Sequence, residues 1–171
     1  MTCQLPRWYA SDVSDLNGLD TAELAMWRGF VAMRRSLDRA LEQRLQADAG
    51  ISAADYEVLL SLACMEDGRL RPGAIAEALG WEKSRISHQV SRMAARGLVD
   101  REECPTDARG TWVVLTRGGR AALDAARPGY ADVLRTIFFG SMSGAERETL
   151  RALAARALER EPSRLRVPVP A

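Results

Sequence analysis

Apolar positions recur at steps of three and four residues over the first part of the chain. Asp20 or Thr21 can cap a helix in which Trp27, Phe30, Val31, Leu37, Leu41 and Leu45 keep that spacing, and the pattern predicts a long helix to about Ala47. Asp48-Ala49-Gly50 breaks it. Ser52 with Asp55 forms a capping signature for a second helix bearing Tyr56, Leu59, Leu60, Leu62 and Ala63, ended by Gly68. Pro72 then stands where proline is welcome, in the first turn of a third helix whose core contacts are Ile75 and Leu79, and Gly80 supplies a sharp bend. A fourth helix runs from Ser84 to Arg96. On its wheel Ile86, Val90 and Met93 form one apolar stripe, while Ser84, Arg85, Ser87, His88, Ser91 and Arg92 cover the other side.

The periodicity next changes from helical to extended. Leu98 to Cys104 and Thr111 to Thr116 read as short strands, the second with high β-propensity, and the turn between them is Pro105-Thr106-Asp107-Ala108-Arg109-Gly110. A fifth helix follows from about Gly119 to Phe139, bent near Pro128, which has no backbone N–H to donate. Ser143 to Glu146 matches a capping box and starts a last helix carrying Leu150, Leu153, Ala157 and Leu158, stopped by Glu161-Pro162. The fold class expected is mainly α with a small β-hairpin wing (α+β). Helix, turn, polar-faced helix and basic hairpin in that order make a winged helix-turn-helix over residues 51–116. Helical regions 19–48 and 117–160 flank it, and they carry more apolar surface than one small winged module covers, so two-fold pairing is expected. Residues 1–18 form an extension, poorly ordered or docked on a partner, and 161–171 a tail.

A length of 171 residues with 47% hydrophobic and 27% charged residues suits one soluble domain with its own core. The opening residues hold no run of signal-peptide character, and no window offers a membrane span, so a cytoplasmic protein is expected. Three well-separated cysteines, Cys3, Cys64 and Cys104, suit free thiols in a reducing compartment. His88 is the only histidine, which excludes a metal site built on several imidazoles; no zinc spacing exists, and no cofactor is expected. Neither a Cys-His nor a Ser-His nucleophile has an orienting acid in view, so the chain does not read as an enzyme.

Charge is informative once it is divided. The net charge is +1, but the segment Arg69 to Arg120 holds ten basic and six acidic residues, net +4, against 14 basic and 17 acidic elsewhere, net −3. A positive module in a near-neutral chain is the footprint of a protein that neutralises phosphates on one face. Of 24 basic residues only Lys83 is a lysine. Arginine is the better fork for phosphates and guanine edges, although an Ala- and Arg-rich genome gives the same bias. No acidic residue occurs from Lys83 to Val99. Small hydroxyls let a helix sink toward base edges, and arginine and histidine reach acceptors there, which makes Ser84, Arg85, Ser87, His88, Ser91 and Arg92 candidate contacts to double-stranded DNA. Arg109 at the wing tip suits the negative potential of a narrow minor groove, with Asp107 holding the turn or orienting a neighbouring arginine.

These features together resemble the MarR (multiple antibiotic resistance regulator) family of bacterial winged-helix transcription factors. The resemblance rests on Asp55-Tyr56-Glu57-Val58-Leu59, the Ala76 to Gly80 helix-turn, Ser84 to Gly97, Gly97-Leu98-Val99, and Asp107-Ala108-Arg109 leading into Leu115-Thr116-x-x-Gly119. It implies a homodimer, joined through the first helix and the last two, that binds a pseudo-palindromic operator as a repressor or activator. It further implies release by a small aromatic or phenolic ligand in a crevice where the dimer helices meet the reading module, and there Trp27, Phe30 and Tyr56 are candidate lining residues, each also readable as core. In the family the wing arginine enters the minor groove; that position is Arg109. Two alternatives stand beside this reading. One is a redox-responsive regulator using Cys104, the thiol with arginines nearby, whereas Cys64 reads as core packing and Cys3 lies too far upstream to match the peroxide sensors. The other is a winged helix used for protein docking without DNA.

Overall fold

The computed structural model describes residues 18–104 and 107–160, the side chains of Cys104, residues 107–110, Leu158 and Arg160 excepted. The expected extension, the Pro105-Thr106 turn, the Glu161-Pro162 stop and the tail therefore lie outside the described residues. Six α-helices and three strands are described: α1 (Thr21–Ala49), α2 (Ala53–Ala63), β1 (Arg69–Leu70), α3 (Pro72–Leu79), α4 (Lys83–Ala95), β2 (Val99–Cys104), β3 (Asp107–Leu115), α5 (Arg117–Val133) and α6 (Gly144–Arg160), with a π-helical segment (Leu134–Phe139) after α5. The chain divides within α1 into two units, one up to Ala40 and one from Leu41 onward.

In the first unit, Asp20 and Glu23 close a reciprocal cap on α1: the Glu23 N–H donates to Asp20 Oδ1 and the Asp20 N–H to Glu23 Oε2, both at 2.8 Å. Val31 is buried with Leu24 against it. Of the stripe read from the sequence, Trp27 and Phe30 are exposed in the single chain and Val31 is buried; Met26 and Met33, outside that stripe, are exposed as well.

The second unit holds the main core. Leu45 of α1, Leu59 and Leu62 of α2, Ile75 of α3, Ile86, Val90 and Met93 of α4, Val99 and Val113 of the sheet and Leu123 of α5 are all buried in one cluster. The stripe expected on the fourth helix is the stripe that is buried. Gly80, at φ 63°, ψ 30°, makes the left-handed turn between α3 and α4 that a side chain would strain.

The sheet carries one strand more than the hairpin expected. Its order is β1-β3-β2, all antiparallel, with Arg69 opposite Val114 and Leu70 opposite Val113. Two residues cannot show alternation, which is why β1 escapes a periodicity argument. Gly68, at φ 65°, turns the chain into it. The β2–β3 register runs from Val99 opposite Leu115 to Glu103 opposite Thr111, then shifts so that Cys104 faces Asp107. β3 therefore starts four residues before the expected Thr111.

As expected, α5 runs through Pro128 as one helix, and its hydrogen-bonding pattern changes at Leu134. One missing N–H is tolerated because buried residues on both sides of it, Leu123, Ala126 and Gly129, hold the helix against its neighbours. Cys64 is exposed rather than core, because α2 stops at Ala63 and leaves Cys64 as its C-cap.

One carboxylate organises the approach of α2 to α4. Asp55 is 2% exposed and accepts three hydrogen bonds: from the Ser52 N–H (2.9 Å), from Gln89 Nε2 (2.6 Å) and from Arg96 Nη1 (2.7 Å). The first completes the expected capping box, in which Ser52 Oγ accepts from the Asp55 N–H. The other two reach across to α4 and its end. Arg96 also donates to the Gly50 carbonyl at 2.5 Å, and Gln89 Oε1 accepts from Arg92. Buried charge is tolerable only when partnered in this way.

At the start of α5, Thr116 Oγ1 accepts from the Gly119 N–H (2.9 Å) and has two carbonyl acceptors within reach of its one proton, Gly97 at 2.7 Å and Leu98 at 2.9 Å. Gly119 leaves no room for a side chain there: an added Cβ would sit 2.0 Å from the Leu98 carbonyl oxygen.

These contacts fix the order of stability losses expected for four substitutions. Gly119→Ala is expected to lower the unfolding free energy by about 2–3 kcal/mol in urea titration, since a backbone carbonyl must move. At Gly129 the obstructing atoms are Asp48 Oδ2 at 1.9 Å and Arg44 Nε at 2.3 Å, ends of a partly exposed ion pair that can swing aside, so Gly129→Ala is expected to cost less. Asp55→Ala, losing the cap and both links to α4, is expected to cost about 2–3 kcal/mol, and Arg96→Ala, whose side chain is 44% exposed, about 1 kcal/mol.

Candidate nucleic-acid interface

The side of α4 opposite the core is open. Ser84, Arg85, Ser87, His88, Ser91 and Arg92 are all exposed, while Ile86, Gln89, Val90 and Met93 are buried. The separation arises from elementary periodicity: an apolar residue at every third or fourth position pins one face, and what remains must face water.

The exposed residues are not equally free. Ser91 Oγ donates back to the Ser87 carbonyl at 2.9 Å, and Arg101 Nη2 of β2 donates to both Ser91 Oγ (2.9 Å) and the Ser87 carbonyl (3.2 Å). Arg101 stands opposite Val113 on the sheet face that meets the core, so its stem runs across that face and its guanidinium fastens the wing to α4. Arg92 is held through Gln89. Arg85 has a different support: its guanidinium carbon lies 3.6 Å from the centre of the Trp81 ring.

Sequence reasoning did not single out Arg101, Gln89 or Trp81. Arg101 was visible only as one charge among ten, and Gln89 hid at the edge of the polar stripe; its burial follows from Asp55, a partner 34 residues away. A further pair of cations lies beside the wing, where Arg69 and Arg71 approach the Trp112 ring at 5.2 and 5.0 Å. The backbone of β3 includes Asp107 and Arg109, but their side chains, like that of Cys104, lie outside the described residues.

The three aromatic residues expected to line a crevice fall into different settings. Trp27 and Phe30 stack on each other at 5.8 Å, exposed, in the first unit. Tyr56 belongs to the second unit, buried and stacked on Tyr130 at 4.6 Å, where burial pushes its phenol pKa up against the opposing pull of Arg127. Tyr56 is a core residue; Trp27 and Phe30 are not. The groove beside α4 in the second unit is polar, lined by Gln46, Gly50, Ser52, Asp55, Gln89, Arg92 and Arg96.

Among the described residues no group of three or more His, Cys, Asp or Glu side chains is placed to hold a metal ion, and no helix is long and apolar enough to cross a membrane.

Known proteins share this fold. A sequence model described as MarR family matches residues 49–110. The transcriptional regulator HosA of Escherichia coli O111:H- is 36% identical over 103 residues, spanning 60% of this chain and 74% of HosA. Among solved structures, Sco3205, a MarR family transcriptional regulator from Streptomyces coelicolor in complex with DNA, superposes with a TM-score of 0.78 at 32% identity, covering 85% of this chain and 95% of that one. AbsC, a MarR family transcriptional regulator from the same organism, superposes with a TM-score of 0.75 at 34% identity, covering 84% and 98%. With relatives of this similarity covered over most of their length, and with a buried-stripe helix, a left-handed glycine turn and a three-stranded wing of its own, this chain belongs to the MarR family of transcriptional regulators.

Proposed function

We propose that the protein is a homodimeric repressor that binds a pseudo-palindromic operator in duplex DNA in the bacterial cytoplasm, acting by binding rather than by catalysis. The observation that carries this reading is the open face of α4. Its polar side chains are all cations, an imidazole or small hydroxyls, and the segment from Lys83 to Val99 contains no acid to repel phosphate. In the proposed complex α4 enters the major groove through Ser84, Arg85, Ser87, His88, Ser91 and Arg92, and Arg109 of the wing enters the adjoining minor groove with Asp107 beside it. Sco3205, of similar sequence and fold, was crystallised with DNA, which supports DNA as the partner.

Pairing of two chains is supported by apolar side chains that each unit leaves in water: Met26, Trp27, Phe30 and Met33 on α1, and Ile137, Phe139 and Leu153 near the end of the chain. Two copies related by a two-fold axis would present two α4 helices about 34–36 Å apart, one turn of duplex. We also propose a small aromatic or phenolic effector that releases the operator, in keeping with the family.

Selection of bound sequences from a random duplex pool tests the function and gives the operator together. An inverted repeat with half-sites one turn apart is the expected outcome, and absence of any duplex binding at low salt overturns the proposal. On the selected operator, affinity is expected to fall roughly a hundredfold or more between low and physiological salt. Arg109→Ala is expected to cost about 1–3 kcal/mol of binding, measured by fluorescence anisotropy, and Arg92→Ala less, because Gln89 already holds that guanidinium.

A further inference from the structure

We propose that Trp81 is a positioning residue for operator recognition: its ring holds the Arg85 guanidinium in the place from which it reads a guanine edge. The inference rests on the DNA-reading role above and goes beyond it by naming what aims one of the contacts.

Trp81 is fixed from two directions. It follows the left-handed Gly80, and its backbone N–H donates to the Ala76 carbonyl at 2.8 Å, which locks the chain between α3 and α4. Its ring is partly buried and packs on the main core. Glu82 comes next as the N-cap residue of α4, so the ring stands just ahead of the helix, and Arg85, four residues on, reaches back over it. A separation of 3.6 Å puts the guanidinium carbon in van der Waals contact with the ring face, well inside the distances at which Arg69 and Arg71 meet Trp112.

The chemistry of this contact suits recognition. A guanidinium is planar, and resting its flat face on an indole leaves its five N–H donors around the rim, free to bond in the plane. Among the described residues no hydrogen bond or ion pair takes up the donors of Arg85, whereas Arg92, Arg96 and Arg101 each give theirs to protein acceptors. Arg85 thus pairs a fixed position with unspent donors. The first turn of a recognition helix is where base edges are contacted, and the pair of acceptors there that fits a planar fork is O6 and N7 of guanine. A free arginine must lose its rotamer freedom on binding; one already stacked has lost much of it.

The test is a double-variant cycle on the full chain, with the selected operator, duplexes altered at each base pair, and a duplex of unrelated sequence as probes. Trp81→Leu is expected to weaken operator binding roughly 2- to 5-fold and to flatten the preference at one base pair of each half-site, while binding to the unrelated duplex is unchanged. Trp81→Phe, which keeps a π face, is expected to restore both. Arg85→Ala is expected to cost roughly tenfold, and adding Trp81→Leu to it nothing further. Arg85→Lys reads the same contact without touching the core, should Trp81→Leu lower the unfolding temperature; it is expected to bind the unrelated duplex normally and to lose the same base preference. Losses that multiply in the double variant, an equal loss on the unrelated duplex, or an unchanged base preference in Arg85→Lys would overturn the role of Trp81 while leaving the DNA-binding reading intact. A wild-type chain that binds no duplex overturns that reading, and this role with it.

Discussion

The carboxylate of Asp55 is the point on which the placement of α4 depends. It is buried, it belongs to the first turn of α2, and it is bonded at once to its own helix cap, to Gln89 inside α4 and to Arg96 at the end of α4. A buried carboxylate with fewer partners would favour unfolding, and with these it sets the distance and rotation of α4 relative to α2. Hydrophobic burial of Ile86, Val90 and Met93 alone would tolerate small slips of the helix along its axis, since packing of that kind has no direction. Hydrogen bonds do have direction. The polar links remove the slips that the apolar stripe permits.

Around that anchor the exposed face of α4 divides into supported and unsupported groups. Arg101 ties the wing to Ser87 and Ser91, Gln89 steadies Arg92, and Trp81 underlies Arg85. Three arginines near one helix thus have three different kinds of support, a carbonyl and hydroxyl, an amide and an aromatic face. The surface is a set of preset positions rather than a diffuse positive patch, which suits the proposed reading of a sequence better than mere adhesion to phosphate.

The parts of this structure that local chemistry decides were legible in the chain. The α2 capping box, the Pro72 start, the Gly80 turn and the buried stripe of α4 follow from residues within one or two turns of each other. What escaped depends on distant partners. β1 exists only because β3 offers it a neighbour, Gln89 is buried only because Asp55 meets it, and Cys64 is exposed because α2 ends sooner than its apolar run suggests. For the candidate site, the residue types on α4 were legible, whereas Trp81 and Arg101 gained meaning only when the fold placed one under an arginine and the other across a helix.

The junction at Gly119 has a mechanical meaning. With no side chain there, the beginning of α5 lies directly against the Leu98 carbonyl, and the Thr116 hydroxyl bridges the same corner. α5 thus meets the root of the wing backbone to backbone, with the Leu115 and Leu59 side chains closing the space around the contact. Its far end passes into the wider π-helical turns of Leu134–Phe139. The spacing between α5 and the wing root is therefore fixed by two backbones in contact, and any side chain at this corner would have to wedge them apart.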